Sequence, residues 1–477
     1  MADFLTDAWP HAAAFLTVAL AAAASAHAIL TKEDSLSAVA WVGVIWLVPL
    51  VGAALYVLLG INRIRRRAKA LRGDGRHAPR PEGPEGGTPG RPVPGHLAAL
   101  SRLVGQVVQR PLLEGNRVQP FPDGEAAYAA MIEAIRGARR SVALSTYIFD
   151  NDDAGDMFFE ALAHARGHGA EVLVLVDDMG ARYSFPPMTR RLRHAGIRAE
   201  RFLPTLLPWR MPFINLRNHR KILVVDGRVG FTGGANIREG MLLSRNPGKP
   251  IRDLHFKVEG PVVAHLREAF AADWQFTTGS RLEGEDWFPG LEPVGEVAAR
   301  GIPDGPDEDF ELLFWTVHGA LACARDSVTI VTPYFVPGRT LITSLNLAAM
   351  RGVRVDIVLP ARNNLPVVQW ASTGLLPQLL GHGCRVWLTE GPFDHSKLML
   401  VDGAWALFGS GNWDQRSLRL NFEFNVECYD RKLASELEGL VRSKLQKARE
   451  LTSEDLGRRP LPLKLRDGVA RLFSPYL

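Results

Sequence analysis

The sequence predicts an α/β protein in which a hairpin of two transmembrane helices is followed by two tandem α/β domains. Three observations predict this class: two apolar segments near the N-terminus, alternating helical and strand-like patterns behind them, and a polar motif that occurs twice. The chain has 477 residues, of which 47% are hydrophobic and 22% are charged. That composition excludes a disordered protein and allows two or three domains.

The apolar segments cover residues 12–30 and 36–61, and each is long enough for the roughly 20 helical residues that cross a bilayer. The second is the stronger candidate, with aromatic residues towards its ends and a kink expected at Pro49. The first segment could instead be a signal peptide, although no basic region precedes it. Six Lys and Arg residues between positions 63 and 72 predict, by the positive-inside rule, that the rest of the chain is cytoplasmic.

Composition divides the chain into four parts. They are the two helices with their basic flank (1–72), a flexible Pro- and Gly-rich linker (73–96), a first domain (97–300), and a second domain with an amphipathic C-terminal tail (301–477). Strand-like segments at 141–147 and 169–176 recur at 327–334 and 352–359, in each case behind helical patterns. The offset of about 180 residues is too long for a solenoid, so we expect a duplicated domain.

The repeated motif has a His, a Lys two positions later, an Asp five positions after the Lys, and a glycine-rich turn that ends in an Asn. The two copies are His219, Lys221, Asp226 and Asn236 in the first, and His395, Lys397, Asp402 and Asn412 in the second. In both copies the Asn lies 17 positions after the His. One match of this kind is a weak signal, but two copies with the same tail are not explained by chance.

The residue types of the motif indicate phosphate chemistry. Side chains two apart on a strand share a face, so His and Lys should both face a substrate, whereas Asp226 and Asp402 have the opposite parity and should hold a turn or salt bridge behind the site. Lysines repel a divalent metal and attract phosphate, and we therefore expect no metal and no cofactor. Histidines from different copies can divide the roles of nucleophile and general acid and base.

A nucleophilic imidazole needs its second nitrogen held, usually by a carboxylate. Two acidic residues lie at comparable distances downstream of the motifs, Asp253 and Glu423. From this spacing we predict that Asp253 orients His219 and that Glu423 orients His395. Either carboxylate could instead be an ordinary charge at the edge of a strand.

The paired motif resembles the signature of the phospholipase D superfamily, and within it the chain is similar to the bacterial cardiolipin synthases. The narrower resemblance rests on Asn218 and on the segments at 259–261, 273–274, 332–337, 412–417 and 421–423. It implies two phospholipase D-like α/β sandwich domains that share one active site. It also implies a catalytic set made of the His, Lys and Asp of both motifs, with Asn236 and Asn412 binding the substrate.

The resemblance implies a reaction as well. His219 would attack the phosphorus of one phosphatidylglycerol while His395 protonates the departing glycerol, and a second phosphatidylglycerol would then accept the phosphatidyl group and give cardiolipin. The expected partners are phosphatidylglycerol and anionic lipid of the cell membrane, in which the protein would be a multi-pass protein. The apolar segment 202–213 would be a lipid-contacting wall or a plain buried loop, and the tail at 458–477 would lie on the same interface.

Three alternatives stay open at this point. A membrane-bound phospholipase D hydrolase would use the same residues with water as acceptor and release phosphatidic acid. A nuclease of the superfamily would be more basic around its site, whereas 56 Lys and Arg against 51 Asp and Glu give a formal charge of only +5, so we expect no nucleic-acid partner. A scaffold protein with inactive motifs would be expected to lack one of the motif residues, and both motifs are complete.

Overall fold

The computed structural model describes residues 2–32, 35–60, 93, 95–204, 217–305, 311–414, 417–418 and 421–474. The chain divides into an N-terminal unit and a larger unit that contains both motifs. The basic run at 63–72, the linker up to residue 92, and residues 205–213 of the predicted lipid-contacting wall lie outside the described residues. The described start of that wall, Phe202, is fully buried.

The described residues of the N-terminal unit form three α-helices, α1 (Ala2–Thr31), α2 (Ser35–Leu47) and α3 (Pro49–Leu55), and a π-helical turn follows at Tyr56–Gly60. The second apolar segment is broken at Val48, because Pro49 has no amide hydrogen and its ring excludes a continuous helix. The kink expected at Pro49 is therefore present. Its consequence is that the first segment is the stronger candidate for a membrane span, contrary to the prediction: within the described residues, one helical stretch, Trp9–Thr31, is long and apolar enough to cross a bilayer.

The first half of the larger unit begins with a helix and continues with alternating strands and helices. Its elements are α4 (Ala98–Val108), β1 (Leu113–Phe121), α5 (Gly124–Arg136), β2 (Ser141–Thr146), α6 (Asp153–Gly167), β3 (Glu171–Asp177), α7 (Met188–His194), β4 (Arg198–Phe202), β5 (Ile222–Val225), β6 (Val229–Gly233), β7 (Ile251–Arg252), β8 (His255–Glu259) and α8 (Val263–Thr278). Asp123 and Asp152 accept backbone N–H groups at the starts of α5 and α6, which explains where these helices begin.

The second half repeats this alternation. Its elements are β9 (Val297–Asp304), α9 (Leu312–Cys323), β10 (Ser327–Val331), β11 (Phe335–Val336), α10 (Arg339–Met350), β12 (Arg354–Pro360), α11 (Pro366–Leu375), α12 (Pro377–Leu380), β13 (Arg385–Thr389), β14 (Phe393–Asp394), β15 (Leu398–Val401), β16 (Trp405–Gly409), β17 (Trp413–Asp414), β18 (Glu423–Tyr429), α13 (Arg431–Leu445), β19 (Ala448–Leu451), α14 (Ser453–Gly457) and α15 (Leu461–Leu472).

The long strands of both halves form one mixed sheet of fifteen strands among the described residues. Its order is β19-β13-β12-β10-β15-β16-β18-β9-β1-β8-β6-β5-β2-β3-β4. The order β3-β2-β5-β6-β8 in the first half corresponds to β12-β10-β15-β16-β18 in the second, with the same parallel and antiparallel pairings. Each motif therefore enters the sheet at an equivalent place, immediately before β5 or β15.

The halves are joined more closely than two separate domains. β9 pairs with β18 on one side and with β1 on the other, so the predicted boundary at residue 300 falls inside a strand of the common sheet. Helix α4 is the first element of the first half, yet its buried residues belong to the apolar core of the second half. Gly319 of α9 allows this approach, because a side chain there would meet Leu100 and Leu103.

Candidate active site

Each motif histidine is held in place by the opposite half of the molecule. The backbone N–H of His219 donates to the carbonyl of Phe422 at 2.9 Å, and that of His395 donates to the carbonyl of Arg252 at 2.7 Å. The short parallel pair of β7 and β14 supports the second of these contacts. The two halves therefore exchange backbone hydrogen bonds at the two ends of one site.

The same exchange pairs each histidine with a carboxylate of the other half. Nδ1 of His219 lies 3.1 Å from Oε2 of Glu423, and Nδ1 of His395 lies 2.7 Å from Oδ2 of Asp253. The pairing predicted from sequence spacing, Asp253 with His219 and Glu423 with His395, was wrong. The reason is geometric: each carboxylate follows directly after the residue whose carbonyl binds the opposite histidine.

Both histidines open onto one cavity of about 230 Å³. Side chains from both halves line it, among them Tyr147, His219, Asn236, Tyr334, His395 and Asn412. Asn236 uses its Oδ1 to accept the N–H of Ile148 at 3.2 Å, and Asn412 donates its amide to Ser417 Oγ at 3.2 Å. The arrangement presents two imidazoles and two amides to one small ligand group.

The motif lysines are buried beside the histidines. Each donates its Nζ to the backbone carbonyl of the histidine two positions before it, Lys221 to His219 and Lys397 to His395. Burial lowers the pKa of Lys221 to about 7 and that of Lys397 to about 8, and repulsion by Lys397 also lowers the pKa of Lys221. A negatively charged ligand beside these buried lysines would stabilise their charged forms, so the site favours an anion.

The two carboxylates differ in ionisation. Burial disfavours the charge of Glu423, but His219, Lys221 and the Ser410 hydroxyl outweigh it, so the pKa of Glu423 is lowered. Burial raises the pKa of Asp253 to about 6, against the opposing charge of Lys397. One histidine therefore faces a carboxylate that stays ionised and the other a carboxylate that binds a proton more readily.

Burial also keeps both imidazoles neutral. It lowers the pKa of His219, which Glu423 partly restores, and it lowers the pKa of His395 further because Lys397 and Lys221 repel the imidazolium. A bound phosphodiester would add a negative charge between these groups and raise the pKa values of the histidines and lysines together. Proton transfer at this site is therefore coupled to anion binding.

The motif aspartates lie behind the site. Asp226 accepts the N–H groups of residues 139–141, and Asp402 accepts those of residues 325–327 and also pairs with His96 at 2.8 Å. Each lies five positions along extended chain from its motif lysine, a distance of roughly 16 Å. This geometry agrees with the structural role expected from their parity, since they fix the starts of β2 and β10.

Sequence reasoning missed two tyrosines in the site. The ring of Tyr147 packs edge-on against His219 at 5.2 Å, and that of Tyr334 packs edge-on against His395 at 5.9 Å. Both follow the equivalent strands β2 and β10, so their recurrence at the ends of the repeated segments was the available signal. Within the described ranges, no group of three or more His, Cys, Asp or Glu side chains could hold a metal ion.

Two family models match the chain, one in both halves of the larger unit and one in the N-terminal unit. The model described as cardiolipin synthase, PLD-like domain, matches residues 131–274 and 318–444, which include both motifs. A second model, the phospholipase D-nuclease N-terminal model, matches residues 19–60.

Curated proteins resemble the chain over most of its length. Cardiolipin synthase of Geobacillus kaustophilus is 31% identical over 460 residues, which cover 94% of this chain and 90% of that protein. Cardiolipin synthase of Staphylococcus aureus is 33% identical over 368 residues, which cover 77% of this chain and 74% of that protein. Phosphatidylserine synthase of Haemophilus influenzae shares the fold, with a TM-score of 0.64 and 16% identity over 79% of this chain and 100% of that one. The chain belongs to the family of cardiolipin synthases with phospholipase D-like domains.

Proposed function

We propose that the protein transfers a phosphatidyl group from one phosphatidylglycerol to another, giving cardiolipin and glycerol through a phosphatidyl-histidine intermediate. The observation that carries this proposal is the crossed pair of dyads, His219 with Glu423 and His395 with Asp253, which open onto one cavity. Two neutral imidazoles with fixed Nδ1 atoms can divide covalent catalysis from proton transfer. The named relatives support the choice of lipid substrate.

In the first step Nε2 of His219 attacks the phosphorus of the donor lipid, and the bond from phosphorus to the glycerol oxygen breaks. His395 donates a proton to that oxygen as the glycerol leaves. His219 is the better nucleophile, since the ionised Glu423 holds its Nδ1 and stabilises the positive charge that the ring acquires. The negative charge of the bound donor raises the pKa of His395, and His395 is therefore protonated before this step.

In the second step the dyad of His395 and Asp253 takes the proton from the glycerol hydroxyl of a second phosphatidylglycerol. That oxygen attacks the phosphorus, the bond between phosphorus and Nε2 breaks, and His219 returns to its neutral form. Lys221, Lys397, Asn236 and Asn412 stabilise the charge on the phosphoryl oxygens in both steps. A hydrolase would differ only in using water at this point, with phosphatidic acid as product.

The N-terminal unit would act as the membrane anchor of the enzyme. The apolar helix at Trp9–Thr31 and the family match to residues 19–60 support membrane association. We infer that both apolar segments span the bilayer, and that the basic residues at 63–72 keep the catalytic unit in the cytoplasm. Cysteine accessibility on the two sides of sealed vesicles tests this topology.

The experiment that tests the reaction follows both halves of the labelled donor. Full-length protein in vesicles that contain phosphatidylglycerol, labelled in its headgroup glycerol and its phosphorus, should release one glycerol for each cardiolipin formed. Phosphatidic acid should remain a minor product. Equal release of glycerol and phosphatidic acid would make the protein a hydrolase, and no turnover of phosphatidylglycerol would reject both forms of the proposal.

A further inference from the structure

Large apolar side chains face solvent at the mouth of the active-site cavity. Tyr183 from the first half and Leu365 from the second half line the cavity and are 60% and 49% exposed. Two positions after them, Phe185 is 93% exposed and Val367 is 42% exposed. We call these four residues the rim. Exposed apolar side chains gathered at one opening mark an interaction site.

Local hydrogen bonds hold the rim in its outward position. The N–H of Asn151 donates to the hydroxyl of Ser184 at 2.9 Å, between the two aromatic residues of the rim. On the other side of the mouth, the N–H of Leu365 donates to Oδ1 of Asn363 at 2.8 Å. The turns that carry the rim residues are therefore fixed by hydrogen bonds, and they place the apolar side chains at the mouth of the cavity.

Helix α15 extends the apolar surface away from the rim. Its exposed apolar residues recur every three or four positions and so lie on one face: Leu461, Leu465, Val469 and Leu472. Its other face packs on α11, where Arg466 lies 4.5 Å from the ring of Trp370 and Gly374 faces Asp467 and Arg471. These contacts make α11 and α15 run in the same direction, so the start of α15 lies beside the start of α11, next to the rim.

We propose that the rim and the exposed face of α15 form one surface that docks onto an anionic lipid bilayer, with Phe185 inserted among the acyl chains. This inference rests on the proposed function. A cavity of about 230 Å³ takes a lipid headgroup but not the acyl chains, since even a drug-sized ligand fills roughly 300 Å³ or more. The chains must leave through the mouth, and a bilayer pressed against the rim receives them.

Charge at the edge of this surface fits the same partner. Arg362, three positions before Leu365, and Lys464, between the apolar positions of α15, are both exposed. Cations beside an apolar face are the pattern of proteins that lie on anionic membranes, because they bind headgroups while the apolar residues enter the boundary with the acyl chains.

The first test measures the contact itself and needs no catalysis. Full-length protein with Cys323→Ala and Phe185→Cys carries a polarity-sensitive fluorophore at position 185, since Cys384 and Cys428 are buried. In vesicles of phosphatidylglycerol with brominated acyl chains the fluorophore should be strongly quenched. A matched label at Met350→Cys should not be, because α10 runs from the cavity end of the sheet back to the start of β12 and ends at the opposite side. Equal quenching at both positions, or none at 185, would overturn the proposal.

The second test separates docking from chemistry. In Phe185→Ser with Val367→Ser, cardiolipin formation from bilayer phosphatidylglycerol should fall about tenfold or more, while turnover of a water-soluble short-chain phosphatidylglycerol should stay within about twofold. Met350→Ser, which also removes an exposed apolar side chain, should change neither. Equal losses on both substrates would contradict docking. Quenching at position 185, together with no cardiolipin formation by the protein that retains Phe185, would instead reject the proposed function and leave docking intact.

Discussion

The two halves of the catalytic unit share a strand order, yet they give their histidines different chemical partners. Glu423, which faces His219, also accepts the hydroxyl of Ser410 at 2.5 Å and the amide of Asn421 at 3.2 Å. Asp253, which faces His395, accepts the N–H of Leu254 at 2.8 Å. The pKa of Glu423 is lowered, whereas that of Asp253 is raised to about 6. A duplicated motif has thus become an asymmetric site.

One position of the motif contributes to this difference, beside the larger effects of His219 and Lys221 on Glu423. Ser410 of the second copy corresponds to Gly234 of the first. A Cβ atom at position 234 would lie 2.2 Å from Oδ1 of Asp253, so no side chain fits there and no hydroxyl can serve that carboxylate. The choice between Gly and Ser in otherwise similar turns therefore gives Glu423 a hydroxyl hydrogen bond that Asp253 lacks, which agrees with the separate roles proposed for the two histidines.

The largest effects should come from substitution of the histidines, and the two substitutions should block different steps of the reaction. His219→Ala and His395→Ala should each lower cardiolipin formation by about 10³-fold or more, because groups that act as a unit are not additive. With phosphatidyl-p-nitrophenol, whose leaving group needs no proton, His395→Ala should still give a burst of p-nitrophenolate and His219→Ala should give none. A burst in His219→Ala alone would reverse the assignment of the nucleophile. Half of the activity in either variant would mean two independent sites.

Substitution of each carboxylate should block the same step as substitution of the histidine that it contacts in the opposite half. Glu423→Gln should abolish the burst, since His219 loses the charge that holds it, and Asp253→Asn should preserve the burst but slow the turnover that follows. Both should lower cardiolipin formation by about 10²-fold. Circular dichroism of each variant controls for folding. The reverse pattern, with the burst lost in Asp253→Asn, would contradict the crossed pairing.

The sequence predicts what depends on local spacing and misses what depends on how the halves meet. The two motifs, the repeated strands and the break at Pro49 follow from periodicity and residue type. The crossed pairing does not, because Asp253 follows His219 and Glu423 follows His395 at similar offsets, which favours pairing within each half. The carbonyls of Arg252 and Phe422 instead bind the histidine of the opposite half, and each carboxylate goes with them. The sequence also fails to predict that α4 packs in the core of the second half. A helical pattern predicts a helix with an apolar face, but not the sheet on which that face packs.

A smaller effect should follow from Ser410→Ala. Loss of a hydroxyl that donates to a buried carboxylate weakens the charged form, so the pKa of Glu423 rises and activity on the acidic side of the pH–rate profile falls about tenfold. Glu423 must be ionised to hold His219, and the acidic limb of the pH–rate profile should therefore move to higher pH. The alkaline limb serves as the internal control and should not move. An unshifted acidic limb would mean that Ser410 does not set this charge.

The smallest effect concerns the lysine pair and the binding of a soluble headgroup. Lys221, with a pKa of about 7, and Lys397, with a pKa of about 8, carry the charge that attracts phosphate, and they lose it as the pH rises through those values. Inhibition by glycerophosphoglycerol should therefore weaken about threefold to tenfold between pH 6.5 and 9, with glycerol as an uncharged control whose effect stays constant. A bound phosphate raises both pKa values, so the loss should be gradual. In Lys221→Met only the step near pH 8 should remain, and an inhibition constant independent of pH would show that the lysines do not bind the phosphate.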